Sequence, residues 1–320
     1  MDWAPTEMMQ AVSELGRKIL STSEAPFADL AEAGFLELDD QLSRTALLVE
    51  VGRATSQAPV LETLVLGAPA ADGEEGVLTA ALQGPGWRSP LETRVEADAA
   101  GRLTGVLSEV PAACEARAIV VPARQGLFAV DTDGIELNPQ TSTDGSTQAT
   151  VCLDATPARR LAGPEAMGPW LDRVHVGISA VLLGVAEQAL AMTAAYTKER
   201  HQFGQPIGAF QAVRQRAADA WIDVQGMQVS LWRAAWLLDQ GEAVEASEVR
   251  RAVLIARAVA CEGAHRVTSA AQHLHGGMGF DRDYGLYRCY LLAKRWEFVL
   301  GGAVATTAAL GRWHRAAAQV

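Results

Sequence analysis

Apolar residues recur along the chain in three successive rhythms. From Thr6 to about Ala70 the period is helical. Met9, Val12, Leu15 and Ile19 fall three and four apart behind Thr6, a residue suited to capping a helix. Leu42, Ala46, Val49 and Val51 repeat the pattern over 40–53, and Pro26, Gly34 and Pro59 cut the stretch into short pieces. From about Gly73 to Gly163 the rhythm changes to short apolar runs at 77–82, 102–107, 118–121, 127–130 and 150–153. Turn sequences such as Gly84-Pro85-Gly86, Asp133-Gly134 and Asp144-Gly145 divide them. Runs about a dozen residues apart with no helix between them predict an antiparallel barrel or sandwich. From Glu165 onward the helical period returns, over 165–200, 210–240, 243–275 and 286–318, with Gly204 to Gly208, Gly241 and Gly276-Gly277 at the breaks. Segments of about 30 residues span roughly 45 Å, and four joined by short turns predict an up-and-down bundle. Trp221, Trp232 and Trp236 share a face there, as core or subunit-interface residues do. The expectation is an α+β multidomain chain: a helical domain over 1–72, a β domain over 73–163 and a four-helix bundle over 164–320.

The 320 residues suffice for about two domains with real cores, and 49% hydrophobic residues exclude a disordered chain. There are 27 Lys and Arg against 38 Asp and Glu, a formal net charge of −11. That balance, without a local basic patch, argues against nucleic acid and anionic membrane surfaces as partners. Cys114, Cys152, Cys261 and Cys289 lie far apart with no paired spacing, which fits a reducing cytoplasm. The start, Met1-Asp2-Trp3-Ala4-Pro5, has neither the basic residues nor the apolar run of a signal peptide. Glu187 and Gln188 interrupt the apolar stretch around 178–192 too early for a membrane span. A cytoplasmic protein is expected.

The common catalytic and nucleotide-binding motifs are absent: no GxGxxG after a strand, no Walker loop, no GxSxG, no HExxH. His273 and His275 form a close pair, but no accompanying Cys, Asp or Glu set completes a metal site, and none is expected. Arg250, Arg251 and Arg257 read as a solvated face. Two segments stand out. In the first, Arg200-His201-Gln202-Phe203 is followed by Gly204-Gln205-Pro206-Ile207-Gly208 and then Phe210-Gln211. It reads either as a helix–helix corner with Phe203 plugging the core or as a phosphate clamp, since a guanidinium fork matches phosphate oxygens. In the second, Gln272 to Phe280, Gly276-Gly277 allows close backbone approach to a ligand or simply stops a helix.

Together these segments resemble the acyl-CoA dehydrogenase family, and the order of rhythms agrees across nearly the whole chain. The family's RxxFGxPI-x-x-FQ stretch matches 200–211 and its Q-x-x-GG-x-G-[YF] stretch matches 273–280. The resemblance implies FAD lying across a subunit interface. Arg200 would meet the pyrophosphate of a neighbour's FAD, Gln202 and Phe203 would line that end, and Gly276 and Gly277 would admit the cofactor. The family's Gln falls at His273, with Gln272 displaced by one position.

Family chemistry also needs a carboxylate base beside the substrate α carbon. Its usual position, 23 residues beyond Gly277, is Leu300; the alternative, on the first bundle helix, is Val174. Neither is an acid. Asp172 lies about 200° round the helix from Val174, and Glu297 stands one turn before Leu300, more suited to pairing with Lys294 or Arg295. The β-domain stretches that hold and cover the flavin are replaced by 81–87 and 105–108. Family members are several dozen residues longer, and the shortfall falls in the N-terminal helices and the flavin-covering part of the β domain.

In one bacterial subgroup two unlike subunits form an α2β2 assembly, with FAD only at the unlike interfaces and the base on one subunit type. Gln272 to Gly277 with Asp283-Tyr284, and the Leu300-Gly301-Gly302-Ala303 stretch, resemble its base-less partner. Members of that subgroup act on CoA thioesters of steroid side chains. The resemblance therefore implies a non-catalytic but required subunit. Its partners would be a catalytic acyl-CoA dehydrogenase subunit and an electron acceptor such as an electron-transfer flavoprotein. Two alternatives stay open: a self-sufficient flavin enzyme, with Glu297 as base or acting as a monooxygenase, and a flavin-free scaffold.

Overall fold

Thr6 caps a helix as its position predicts: its Oγ1 accepts from the Met9 backbone N–H at 3.2 Å. The structure is a computed structural model describing residues 6–71, 75–86 and 89–317; the N-terminal Met1 to Pro5 and the expected boundary at Asp72-Gly73 lie outside the described residues. Helix α1 spans Glu7–Thr22, and α2 spans Pro26–Glu32 with its proline in the first turn. Helix α3, Gln41–Arg53, is capped by Asp40, whose Oδ1 accepts from the Ser43 N–H at 2.7 Å. Leu47, Leu48 and Val51 of α3 are all buried, because α3 lies between α1 and the first helix of the bundle. A π turn over Glu62–Leu66 then leads into the β domain.

The strands are β1 (Val77–Ala80), β2 (Glu96–Ala97), β3 (Arg102–Pro111), β4 (Ala116–Ala123), β5 (Gly126–Asp131), β6 (Glu136–Thr141), β7 (Thr147–Pro157) and β8 (Arg159–Ala162). They form two four-stranded sheets, ordered β1-β4-β5-β8 and β2-β3-β7-β6. Leu103, Leu107, Ile119, Val121, Phe128 and Val151 fill a separate small core. The arrangement departs from an all-antiparallel one at a single pair, since β1 runs parallel to β4. A parallel neighbour needs a crossover, and the excursion through β2 and β3 of the other sheet supplies it. β6 went unpredicted: it is polar, carries Pro139 and lies at a sheet edge, where no apolar alternation is required.

The bundle comprises α4 (Met167–Glu199), a small hairpin of β9 (His201–Gln202) and β10 (Gln205–Pro206), α5 (Gln211–Asp239), α6 (Ala246–His275), α7 (Leu286–Phe298) and α8 (Gly302–Ala317). The single fourth helix expected over 286–318 is thus two; its last residue, Ala318, lies outside the described residues. Leu300, Gly301 and Gly302 have φ of 61°, 78° and 61°, a left-handed run that no α-helix continues through. By length and hydropathy the stretch 164–199 could cross a membrane despite Glu187, yet 72% of its most apolar window is buried inside the protein. It is the central core helix.

The solvated arginine face is not found. Arg257 is fully buried and donates Nη2–H to the carbonyls of Trp296 (2.7 Å) and Val299 (2.9 Å), at the end of α7. Arg250 pairs with Asp172 on α4, and Arg251 lies 5.6 Å over the Trp313 ring. Of the three tryptophans, Trp232 and Trp236 pack against the core, whereas Trp221 is exposed.

Candidate functional site

The two motif segments meet at one end of the bundle. Tyr196, one turn before the end of α4, stacks on His275 at the end of α6 with ring centroids 4.3 Å apart. His275 is buried, and burial holds its ring below the usual histidine range. The neutral ring donates Nδ1–H to the Ala271 carbonyl (2.7 Å), so Nε2 accepts from the Tyr284 hydroxyl (3.0 Å). The packing fixes where Arg200 and the glycine pair sit relative to each other.

Arg200 has a pinned backbone and a free head. Its N–H donates to the Tyr196 carbonyl (2.9 Å) and its carbonyl accepts from the Ile207 N–H (2.7 Å). Among the described residues its exposed guanidinium has no partner. The β9–β10 turn places Phe203 and Gly204 both at positive φ, 54° and 81°, which suits Asn-Gly far better than Phe-Gly. Phe203 is nevertheless 92% exposed, with an edge-to-face contact to Phe210 at 6.2 Å. It does not plug the core, and neither turn chemistry nor internal packing explains an aromatic there. Gln202 is exposed beside it and donates Nε2–H to the His201 carbonyl (2.8 Å).

At the end of α6, Gly276 has φ 59° and ψ −133°, a conformation for glycine, and its N–H closes onto the Gln272 and His273 carbonyls. Gly277 has no such need. A Cβ added at either glycine would meet open space within 4 Å, so the room beside this pair is not filled by the chain itself. Gln272 is half-buried and His273 exposed. His273 is exposed and His275 buried, two residues apart on one helix and so about 200° round it from each other. These residues fit an anionic, planar-ended cofactor presented from outside: a free guanidinium, an uncovered aromatic and an open glycine pair.

The chain's own cleft is different. About 620 Å3 opens between the β domain and the α7–α8 break, lined by Gln83, Glu92, Ser108, Glu109, Arg295 and Phe298. Arg295 is committed elsewhere, lying 3.5 Å from Glu62 and 3.3 Å from Asp144 with its guanidinium 4.7 Å over the Trp296 ring. Burial raises the Glu62 carboxyl and Arg295 opposes that rise. Glu92 and Glu109 have no cation within salt-bridge distance among the described residues; Glu109 contacts Gln83. Among the described residues that line it, Glu92 and Glu109 face a single arginine that is already paired, with the Arg94 guanidinium packed on Gly86 at the edge, a set poorly suited to a pyrophosphate. Trp87, the last residue of the stretch replacing the flavin-holding motif, lies outside the described residues.

Neither base position holds an acid, and both side chains, Leu300 and Val174, are buried. Glu297 is already engaged: Lys294 Nζ lies 2.6 Å from one carboxylate oxygen and His265 Nδ1 3.2 Å from the other. Asp172 is held by Arg250. Of the two cations offered to Glu297 by spacing, Lys294 takes it, whereas Arg295 turns to Glu62 and Asp144, acids from distant segments that no local spacing signals.

Comparison with known proteins agrees with this architecture. Residues 165–309 match the family model "Acyl-CoA dehydrogenase, C-terminal domain". Acyl-CoA dehydrogenase FadE27 of Mycobacterium tuberculosis is 33% identical over 93% of this chain and 87% of its own length. FadE28 of the same organism is 30% identical over 94% of this chain and 96% of its own. Among solved structures, the Tcur3481-Tcur3483 steroid ACAD superposes with a TM-score of 0.89 at 32% identity, covering 98% of this chain and 99% of that one. The ChsE4-ChsE5 complex from Mycobacterium tuberculosis gives 0.87 at 29% identity, covering 98% of each. The chain belongs to the acyl-CoA dehydrogenase family, a family of flavin-dependent oxidoreductases.

Proposed function

We propose that this chain is the non-catalytic but required subunit of a heteromeric FAD-dependent acyl-CoA dehydrogenase, with a steroid side-chain CoA thioester as the favoured substrate. The observation that carries the reading is an asymmetry. The bundle end offers Arg200, Phe203 and an open glycine pair to the outside, whereas the internal cleft is lined by Glu92 and Glu109 and both base positions carry buried aliphatic residues. Two of the similar structures are pairs of unlike chains, one of them named as a steroid enzyme.

In such an assembly FAD, bound mainly by the catalytic partner, supplies hydride acceptance from the β carbon. On this chain Arg200 would hold the pyrophosphate, its guanidinium being suited to phosphate oxygens. Gln202 and Phe203 cover the adenosine end, and Gln272 and His273 offer polar groups beside Gly276 and Gly277. The partner supplies the carboxylate base, and electrons leave through an acceptor such as an electron-transfer flavoprotein.

The test is expression of the chain alone and together with its candidate catalytic subunit, followed by flavin content, mass and acyl-CoA oxidation. The expected result is a colourless, inactive chain alone and a flavin-loaded, active complex. Arg200→Ala should leave assembly intact and weaken flavin retention at least about tenfold, the scale of a lost charge-assisted contact. A lone chain that holds stoichiometric FAD and oxidises acyl-CoA overturns the proposal.

A further inference from the structure

Away from the bundle end and the acidic cleft, a third cavity of about 680 Å3 opens where the helical domain, the first sheet and the start of α4 meet. Its size lies within the range of small-molecule sites. Val65, Leu127 and Trp170, all nearly inaccessible to solvent, form an apolar floor. The floor is rigid, since Trp170 donates Nε1–H to the Leu66 carbonyl at 3.1 Å. Two guanidiniums line the same cavity, from Arg44 on α3 and Arg173 on α4.

We propose that this cavity binds an amphipathic organic anion, its apolar body on Val65, Leu127 and Trp170 and its carboxylate or phosphate head between Arg44 and Arg173.

Neither arginine has a carboxylate within salt-bridge distance among the described residues. Arg44 uses Nε to reach the Leu38 carbonyl, and Arg173 makes one long contact from Nη1 to the Pro169 carbonyl at 3.4 Å. Most of both forks is left over. The two charges also act on each other: burial, and then Arg173, pull the Arg44 guanidinium below the usual arginine value. Like charges brought together in a half-buried place are unfavourable unless an anion lies between them. Asp39, Asp40 and Asp239 oppose that pull, though none of them lies within salt-bridge distance of Arg44 among the described residues. Asp40 caps α3, and Asp239 accepts from the Gln41 and Leu42 N–H groups at 2.7 and 3.1 Å. Glu165 also lines the cavity, but its carboxylate folds back against Gly163. No lining residue is shared with the bundle end or the acidic cleft, so the inference stands apart from the flavin reading.

Calorimetric titration of the full-length protein with decanoate, decyl phosphate and decanol, each below its micelle concentration, tests this. The expected result is that both anions bind one to one and at least about tenfold more tightly than decanol. The tighter anion identifies the head group. Arg173→Gln, at an exposed position the fold tolerates, should weaken both anions about tenfold and leave decanol unchanged. Ala166→Trp, which fills the cavity, should abolish binding in a variant whose circular dichroism is unaltered. Equal affinity for anions and decanol overturns the proposal. So does an unchanged Arg173→Gln titration, binding that survives Ala166→Trp, or no saturable binding at all.

Discussion

His175 is an imidazole sealed in the α4–α6 interface, with no hydrogen-bond partner at Nδ1 among the described residues. Burial, reinforced by the charges of Arg257 and Arg250, holds its ring well below the usual histidine value of 6.5. The native ring is therefore neutral, while the unfolded chain takes up a proton as pH falls through 6.5. Stability is then fully present above that pH and declines on acidification, by up to about 1.4 kcal/mol per pH unit. Urea midpoints should fall between pH 7.5 and 5.5, less steeply in His175→Gln. His275 shifts in the same direction, so the slope should flatten without vanishing. Identical slopes in the two proteins would show that this ring does not titrate as described. Residue-level legibility was uneven. Arg200 stood out through its glycine- and proline-marked surroundings, and its guanidinium is exposed without a partner among the described residues. Arg257 did not, although it is in phase with Val253, Ala260 and Ala264, which are buried on the same helix. Residue type outweighed helical phase.

At the scale of elements, α3 and α4 touch backbone to backbone. A Cβ added to Gly52 would lie on the Val181 carbonyl, and one added to Gly184 on the Val49 carbonyl. The helical domain is thereby fastened to the bundle through two positions where only a hydrogen fits. Gly184→Ala should cost about 2–3 kcal/mol, the range for overpacking a rigid site, read as a lower urea midpoint with an unchanged slope. Helix periodicity found α1, α3, α4, α5 and α6 because each has a buried face and a glycine, proline or polar cap at its end. It could not find the break between α7 and α8. Gly301-Gly302 was visible, but Leu300 entering the left-handed region is set by tertiary packing, with Arg257 holding the carbonyls just before it. The parallel β1–β4 pair was hidden too, since strand direction depends on which sheet the intervening chain visits.

For the whole molecule, Arg295 is the joint. It sits on α7 of the bundle and reaches Glu62 in the helical domain and Asp144 in the β6–β7 loop. Arg295→Ala leaves two acids without their cation and should cost about 3 kcal/mol, with earlier protease cleavage in the 142–146 turn as the second readout. Leu300→Glu should not make the chain a dehydrogenase by itself. Position 300 is buried next to the cleft rather than in its lining, and on the proposed reading the cofactor is held mainly by the partner, so acyl-CoA oxidation measured with added FAD should stay at background. Domain order was legible because each layer has its own hydrophobic period. The contacts joining the layers were not, being single side chains from distant segments.

The bundle end has a further consequence, for supply. Phe203, Met278 and Phe280 are all exposed there, and an uncovered ring on a strained turn costs the isolated chain without return. A chain made in excess of whatever covers that end will self-associate or be captured by chaperones. On the proposed heteromeric assembly, dose is written into the shape: the cell would have to synthesise this protein in step with its partner subunit. Light scattering of the chain alone should fall as the counterpart is titrated in, and level off at equal numbers of the two.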